Sequence, residues 1–235
     1  MRFDVVTLFP ELFAPFLASG VTRRAYEGAV SVRLWNPRDH AEGNYRRIDD
    51  RPFGGGPGMV MMAEPMARCL DAIRADRADD APAPVVLFSP LGSRLDHAAV
   101  EVWSASAGAV LVCGRYEGVD QRFIDAYVDV QISLGDFVLS GGEIPAMALL
   151  DAVARLQPGV LNDEGSHQQD SFNPALDGLL DCPHYTRPET WREQPVPAAL
   201  MSGDHKRIER WRHDQRVALT TALRPELLPA KKTGI

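Results

Sequence analysis

Cysteine is scarce in this 235-residue chain: Cys69, Cys113 and Cys182 are odd in number and scattered, with no ligand-pair spacing. That argues against a disulfide frame or a zinc site and fits reduced thiols in a cytoplasmic protein. Long apolar runs are missing as well. The opening Met1-Arg-Phe-Asp-Val-Val-Thr-Leu-Phe-Pro10 looks like a strand ending at proline and lacks the apolar core of a signal peptide. No later segment reaches membrane-spanning length, so no membrane partner is expected. Positive charge is not in excess either. A net charge of −7 excludes a generally basic polyanion binder, yet a local patch suffices to neutralise phosphates. Repeats and low-complexity tracts are absent. The 235 residues can form one large domain or two modest ones.

What is present is alternation. Phe3–Phe9 and Ala29–Trp35 read as strands, with a weak helix at Glu11–Leu17. The runs Val85–Phe88, Ala109–Cys113 and Val128–Ile132 read as buried strands. Between and around them lie helical patterns at Met59–Ile73, His97–Ala105, Phe123–Ala126 and Ile144–Leu156. Arg74–Pro84 reads as a solvated connection. Strands alternating with helices imply an α/β fold with a parallel sheet and helices on both faces. Ligands of such sheets bind beyond the carboxyl ends of the strands.

Each of the three apolar strands ends in a glycine-bearing loop: Phe88–Gly92, Gly114–Gly118 and Leu134–Gly142. The last is the richest. Ser133-Leu-Gly-Asp-Phe-Val-Leu-Ser-Gly-Gly-Glu-Ile-Pro145 combines a permissive backbone with apolar walls, which suits a flat neutral ring held by main-chain hydrogen bonds. As an isolated stretch it is equally a tight strand-to-helix turn, and only convergence with the other two loops favours a pocket. A second glycine-rich passage, Pro52–Gly58, follows Arg46, Arg47 and Arg51. No lysine-serine pair comes after it, so it is not a nucleotide P-loop.

Beyond Pro158-Gly159 the chain turns polar and aperiodic from Leu161 to Asp170, which reads as a domain boundary. His184, Tyr185 and Arg187 then cluster in a turn-rich segment. Gly203–Leu223 reads as a helix carrying Lys206, Arg207, Arg210, Arg212 and Arg216, with Ile208, Trp211 and Leu219 to pack inward. Lys231 and Lys232 extend the basic character. Such a run is commonly a solvated face; beside Tyr185 and Trp191 it also fits phosphate contacts with nucleic acid.

Taken together, Asp50-Arg-Pro-Phe-Gly-Gly-Gly-Pro-Gly-Met59, Ser89-Pro90, Cys113-Gly-Arg-Tyr-Glu-Gly118, Gly135-Asp-Phe-Val-Leu-Ser-Gly-Gly-Glu143, Asp170-Ser-Phe172, Leu179-Leu-Asp-Cys-Pro-His-Tyr-Thr-Arg-Pro188 and Leu200-Met-Ser-Gly203 resemble the bacterial tRNA (guanine-N1)-methyltransferases of the SPOUT superfamily. The order and spacing carry the resemblance, which spans nearly the whole chain. It implies a knotted catalytic domain at 1–160 with a C-terminal deep trefoil knot, a flexible linker at 161–172 and a small helical tRNA-binding domain at 173–235. Methyl transfer from S-adenosylmethionine to N1 of the guanosine 3′ of the anticodon, position 37, is the implied reaction. A homodimer sharing its active sites is implied as well.

By the same resemblance Asp170 is the general base, Arg155 the partner of guanine O6, and Glu117 an orienting group. Phe88, Ser89, Pro90, Gly114, Tyr116, Glu117, Leu134, Gly135, Asp136, Phe137, Val138, Leu139, Gly141, Gly142 and Pro145 would hold the cofactor. Asp50, Arg51, Gly56, His184, Arg187, Lys206, Arg207 and Arg210 would contact tRNA. A Mg2+ requirement without a protein-only site is compatible with this. Phe137 stands where many members carry tyrosine, and Asn173–Leu176 looks like an insertion. Two other readings compete: a knotted methyltransferase acting on another RNA atom, such as a ribose hydroxyl, and a non-catalytic RNA-binding module.

Overall fold

The computed structural model describes residues 1–78, 82–162 and 167–228. Residues 79–81 of the expected connection, 163–166 of the expected linker, and Lys231 and Lys232 lie outside them. Two compact units divide the chain, Met1–Leu161 and Asn162–Ile235.

In the first unit, β1 (Arg2–Val6), α1 (Phe13–Leu17), α2 (Arg23–Tyr26) and β2 (Ser31–Trp35) come first. The two-residue strands β3 (Asp49–Asp50) and β4 (Val60–Met61) precede α3 (Ala63–Arg77). Then follow β5 (Val85–Arg94), α4 (His97–Ser104), β6 (Gly108–Val112), α5 (Gln121–Tyr127), β7 (Val130–Ser133) and α6 (Glu143–Arg155). One five-stranded sheet runs in the order β2-β1-β6-β5-β7. Every pairing in it is parallel.

A sheet of this kind is buried on both faces, and the alternation along each strand sorts the residues. Phe3, Val5, Val86, Ala109, Leu111 and Ile132 face α1, α2, α4 and α6, where Phe13, Ala25, Val100, Leu149, Leu150 and Val153 complete a core. Val6, Val85, Leu87, Val110 and Val112 point the other way, onto Met66, Leu70 and Ile73 of α3 and Phe123 of α5. Asp4 also lies on this second side, fully buried. It is tolerated because Arg77 Nε at 2.6 Å, Arg2 and Trp35 Nε1 at 2.8 Å all donate to its carboxylate.

Those contacts explain where α3 departs from the sequence reading. Its expected first residues are drawn into β4, which pairs with β3 and bridges Val119. At the other end Arg77 anchors to Asp4, so the helix runs through residues read as a connection. The two amino-terminal strands, read separately from the alternating set, join the same sheet. Strand β5 is longer than expected: Phe88 and Ser93 both oppose Ile132, so Ser89–Gly92 bulges out of the ladder. Among the described residues no helix is long and apolar enough to cross a membrane.

The second unit is built differently. A short hairpin, β8 (Thr190–Trp191) with β9 (Gln194–Pro195), precedes α7 (His205–Leu223). Asp204 caps that helix, its carboxylate accepting from the Lys206 and Arg207 N–H groups. Ile208, Trp211 and Leu219 are only half-buried; Arg216 and Thr220 are the buried residues of α7. Arg216 was read as part of the basic face. Instead it turns inward, with Nη1 donating to Glu209 at 3.0 Å and Nε 3.7 Å from Asp181.

Candidate active site

At the carboxyl ends of β6 and β7, beside the bulge within β5, the three glycine-bearing loops meet around one cleft of about 370 Å³. This is within the size range of small-molecule sites. From the first loop come Phe88, Ser89, Pro90 and Leu91; from the second, Gly114 to Val119; from the third, Leu134, Phe137 to Gly142 and then Pro145 of α6. Leu87, Gln121, Ile124, Ile132 and Ser133 complete the lining. Of the residues singled out for a cofactor, Gly135 and Asp136 stand outside it. Gly135 folds its loop instead: its N–H donates to the Ser133 hydroxyl, and a Cβ there would come within 3.0 Å of the Phe137 ring.

Backbone proximity dictates two of the glycines. A Cβ on Gly142 would lie 2.6 Å from Cys113 Cα, so no side chain fits where α6 starts against the end of β6. The Gly142 N–H donates to the Gly114 carbonyl at 3.0 Å, tying the second loop to the third. On Gly92 a Cβ would meet the Gln131 carbonyl carbon at 2.4 Å, which fixes the first loop against β7. Tyr116 adopts a left-handed φ of 60°, a strained conformation for a non-glycine residue and one that concentrates at functional loops.

Glu117 links the cleft to the passage Asp50–Gly58. Its N–H donates to the Met59 carbonyl at 2.9 Å, and its carboxylate lies over Gly58, where an added Cβ would be 2.3 Å from Oε1. Asp50, Arg51 and Gly56 are exposed along that passage. Cys113 lies at the edge of the site, but burial, reinforced by the charge of Glu143, pushes its thiol well above the ordinary range. It is a protonated core residue and no nucleophile.

Arg155 does not line this cleft. It ends α6, ten residues beyond Pro145, about 15 Å along the axis at the helical rise. Asp170 belongs to the second unit, half-buried after the turn His167–Gln169, its N–H donating to the His167 carbonyl. His184, Arg187, Lys206, Arg207 and Arg210 are all exposed in that unit.

A family model described as tRNA (Guanine-1)-methyltransferase TrmD matches residues 1–230. The chain belongs to this family. A tRNA (guanine-N(1)-)-methyltransferase of Paracidovorax citrulli is 77% identical over 237 aligned positions, covering 100% of this chain and 93% of the relative. Relatives of the same name from a Polaromonas species and Albidiferax ferrireducens are 76% and 74% identical. These alignments cover 97% and 100% of this chain, and 89% and 94% of the relatives.

Sequence reasoning passed over one part of the site found in this member of the tRNA (Guanine-1)-methyltransferase TrmD family. Glu143 and Arg115 form an ion pair of 2.9 Å beside the cleft, with Glu143 only 1% exposed. An acidic residue opening a helix ordinarily reads as a solvated partner of the helix dipole. Only its place after two glycines, the second packed against Cys113 at the end of β6, signals burial.

Proposed function

We propose that this chain transfers a methyl group from S-adenosylmethionine to N1 of the guanosine at position 37 of tRNA, immediately 3′ of the anticodon. The observation that carries the reading is the convergence of three glycine-bearing loops on one cleft, in a chain that matches the methyltransferase family from end to end. The donor set fits the methyl donor. Gly114, Gly141 and Gly142 bring bare backbone to the cleft wall, and Phe88, Leu134 and Leu139 would give apolar walls to an adenine.

When bound, S-adenosylmethionine supplies a methyl on a positively charged sulfur. What the chain must supply is an acceptor able to attack it. Guanine N1 carries a proton at neutral pH, so its lone pair is engaged until a base removes that proton. Asp170 takes this role, worth about 10²- to 10⁴-fold. Negative charge then builds toward O6, and the Arg155 guanidinium meets it. Holding both reactants in line contributes more, about 7–11 kcal/mol, and that is the task of the rigid cleft. Glu117 orients the ligand from the cleft wall.

The position of Arg155 supports a homodimer with shared sites. A guanidinium about 15 Å down α6 from Pro145 would serve this cleft more readily from a second copy. In the same reading Asp170 is lent with it, and 161–172 is the linker between a catalytic domain at 1–160 and a tRNA-binding domain at 173–235. A trefoil knot would, in the same reading, be tied through these loops. Exposed Lys206, Arg207, Arg210, His184 and Arg187, with Asp50, Arg51 and Gly56, would contact tRNA. In this reading any Mg2+ dependence would act through tRNA or ligand oxygens.

Incubation of the full chain with an unmodified tRNA transcript and S-adenosylmethionine, followed by nuclease digestion and mass spectrometry, tests the reaction. One methyl on guanine N1 at position 37 is expected; a methyl on a ribose hydroxyl or on another base sinks the proposal. Shared sites are tested by mixing Asp170→Ala with Leu139→Arg, each inactive alone. Random pairing would restore about a quarter of wild-type activity, since half the dimers are mixed and each has one whole site.

A further inference from the structure

The Glu143–Arg115 pair has no role in the chemistry above, yet it is built with unusual care. Glu143 Oε1 accepts from the Thr7 hydroxyl at 2.9 Å, across 136 residues of sequence. Its other oxygen, Oε2, lies 2.9 Å from Arg115 Nε but at an angle too bent for a hydrogen bond, so charge alone holds the two together. The Arg115 guanidinium also donates from Nη1 to the Ser140 carbonyl at 3.2 Å and lies 4.5 Å over the Phe9 ring. Phe9 in turn is tied back, its N–H donating to the Thr7 hydroxyl oxygen at 3.0 Å. Directly above sits Gly141: a Cβ there would be 2.3 Å from Arg115 Nε and 2.6 Å from Glu143 Oε2. Gly141, Ser140 and Arg115 all line the cleft.

We propose that Glu143 is a positioning residue, which, acting through Arg115, clamps the Gly114–Gly118 loop to the Leu134–Gly142 loop and so presets the cleft for S-adenosylmethionine. A buried carboxylate is costly unless paired, and burying one here makes sense if the position of its partner matters. Arg115 spans the gap because its planar fork reaches Glu143 with one nitrogen and Ser140 with another, which a lysine ammonium cannot do. Glu143 is not among the residues that line the cleft. Its effect belongs on cofactor affinity rather than on the chemical step.

This inference rests on the methyltransferase reading, and one set of measurements separates the two. Cofactor affinity by calorimetry, KM and kcat for S-adenosylmethionine, and thermal midpoint are measured for wild type, Glu143→Gln, Arg115→Gln and the double variant. Glutamine keeps the volume of Glu143 and an oxygen for Thr7 while removing the charge. Kd and KM for S-adenosylmethionine should rise about tenfold, the scale on which outer partners of a binding group act. At saturating cofactor, kcat should stay within about threefold of wild type. The double variant should be no worse than the poorer single one, because both lose the same contact.

Unchanged Kd and KM in Glu143→Gln overturn the proposal, as does a fall in kcat with affinity intact. Additive losses in the double variant overturn action through Arg115. Should Glu143→Gln fail to fold, Arg115→Gln, on a side chain that is 20% exposed, carries the same split between KM and kcat. A wild-type chain that binds no S-adenosylmethionine removes the methyltransferase reading and the inference together. Wild-type binding with unaltered variants removes the inference alone.

Discussion

The two units of this chain are stabilised in different ways. Met1–Leu161 has an apolar core on each face of its sheet, and its buried carboxylates are paired with arginines: Asp4 with Arg77, Glu143 with Arg115. In Asn162–Ile235 the described buried residues are Leu179, Cys182, Asn173, Arg216 and Thr220, more polar than apolar. There a polar lattice stands in for a core: Asp181 accepts from the Cys182 N–H and faces His184 and Arg216, and the Leu180 N–H donates to the Thr220 hydroxyl. A small rigid ligand needs a preset cleft, which only close packing maintains. A polyanion needs a set of exposed charges, which a thin scaffold can present.

Removing the proposed base should separate the two halves most sharply. Asp170→Ala is expected to lower kcat by about 10²- to 10⁴-fold while calorimetry finds cofactor affinity unaltered, because Asp170 is outside the cleft lining. Turnover near the wild-type rate would deny Asp170 the role of base. Next in size is Arg216→Ala. Removing this buried guanidinium deletes a charged hydrogen bond to the exposed Glu209 and a contact to Asp181, which keeps His184, and costs about 1.5–3 kcal/mol. Chemical denaturation should show the second unit unfolding early, with S-adenosylmethionine binding retained. Loss of both together would mean that the units do not stand on separate foundations.

Gly142→Ala tests the first unit in the converse way. The added methyl carbon has Cys113 Cα 2.6 Å away, and backbone cannot give way as a side chain can. Overpacking of this kind costs about 1–3 kcal/mol, and it should appear as weakened cofactor binding together with a lower thermal midpoint. A fully active, equally stable Gly142→Ala protein would show that the three loops are held less tightly than their contacts imply.

How much of this was legible beforehand follows from the range of the forces involved. The strands of the first unit announce themselves as continuous apolar runs, and the glycine loops as composition, because both are local. Register is not local. That Phe88 and Ser93 share Ile132 as partner, making a bulge of Ser89–Gly92, depends on a strand forty residues away. Glu143 was missed for the same reason: its burial depends on Thr7, at the far end of the unit. In α7 the arginines look alike in sequence, yet Lys206, Arg207 and Arg210 face solvent while Arg216 turns in to Asp181 and Glu209. Spacing separates the faces of a helix; it does not tell which face finds a carboxylate.

That division of α7 yields a smaller effect with a distinct signature. If Lys206, Arg207 and Arg210 meet phosphates, each change to glutamine removes one neutralised charge. The slope of log K against log salt should then flatten by about 0.7–0.9 per residue. Cofactor affinity should not move. Arg216→Gln would lack this signature, since its charge is spent inside the unit; equal flattening by all four would dissolve the distinction between the faces.

The finest test is pH. Burial alone would raise the Asp181 carboxyl, but the Cys182 N–H and the facing His184 outweigh it and leave it below its usual range. A carboxylate whose folded value is depressed stabilises the fold fully above its unfolded value, near 3.9, and loses that contribution as pH falls through the folded value. Because the group is partly solvent-screened, the contribution is at most about 1 kcal/mol. Thermal midpoints of wild type and Asp181→Asn should therefore differ at neutral pH and converge as pH drops below the carboxylate range. A gap that persists unchanged into acid would assign the loss to packing around Cys182 rather than to charge, and would make the second unit more like the first than its buried residues indicate.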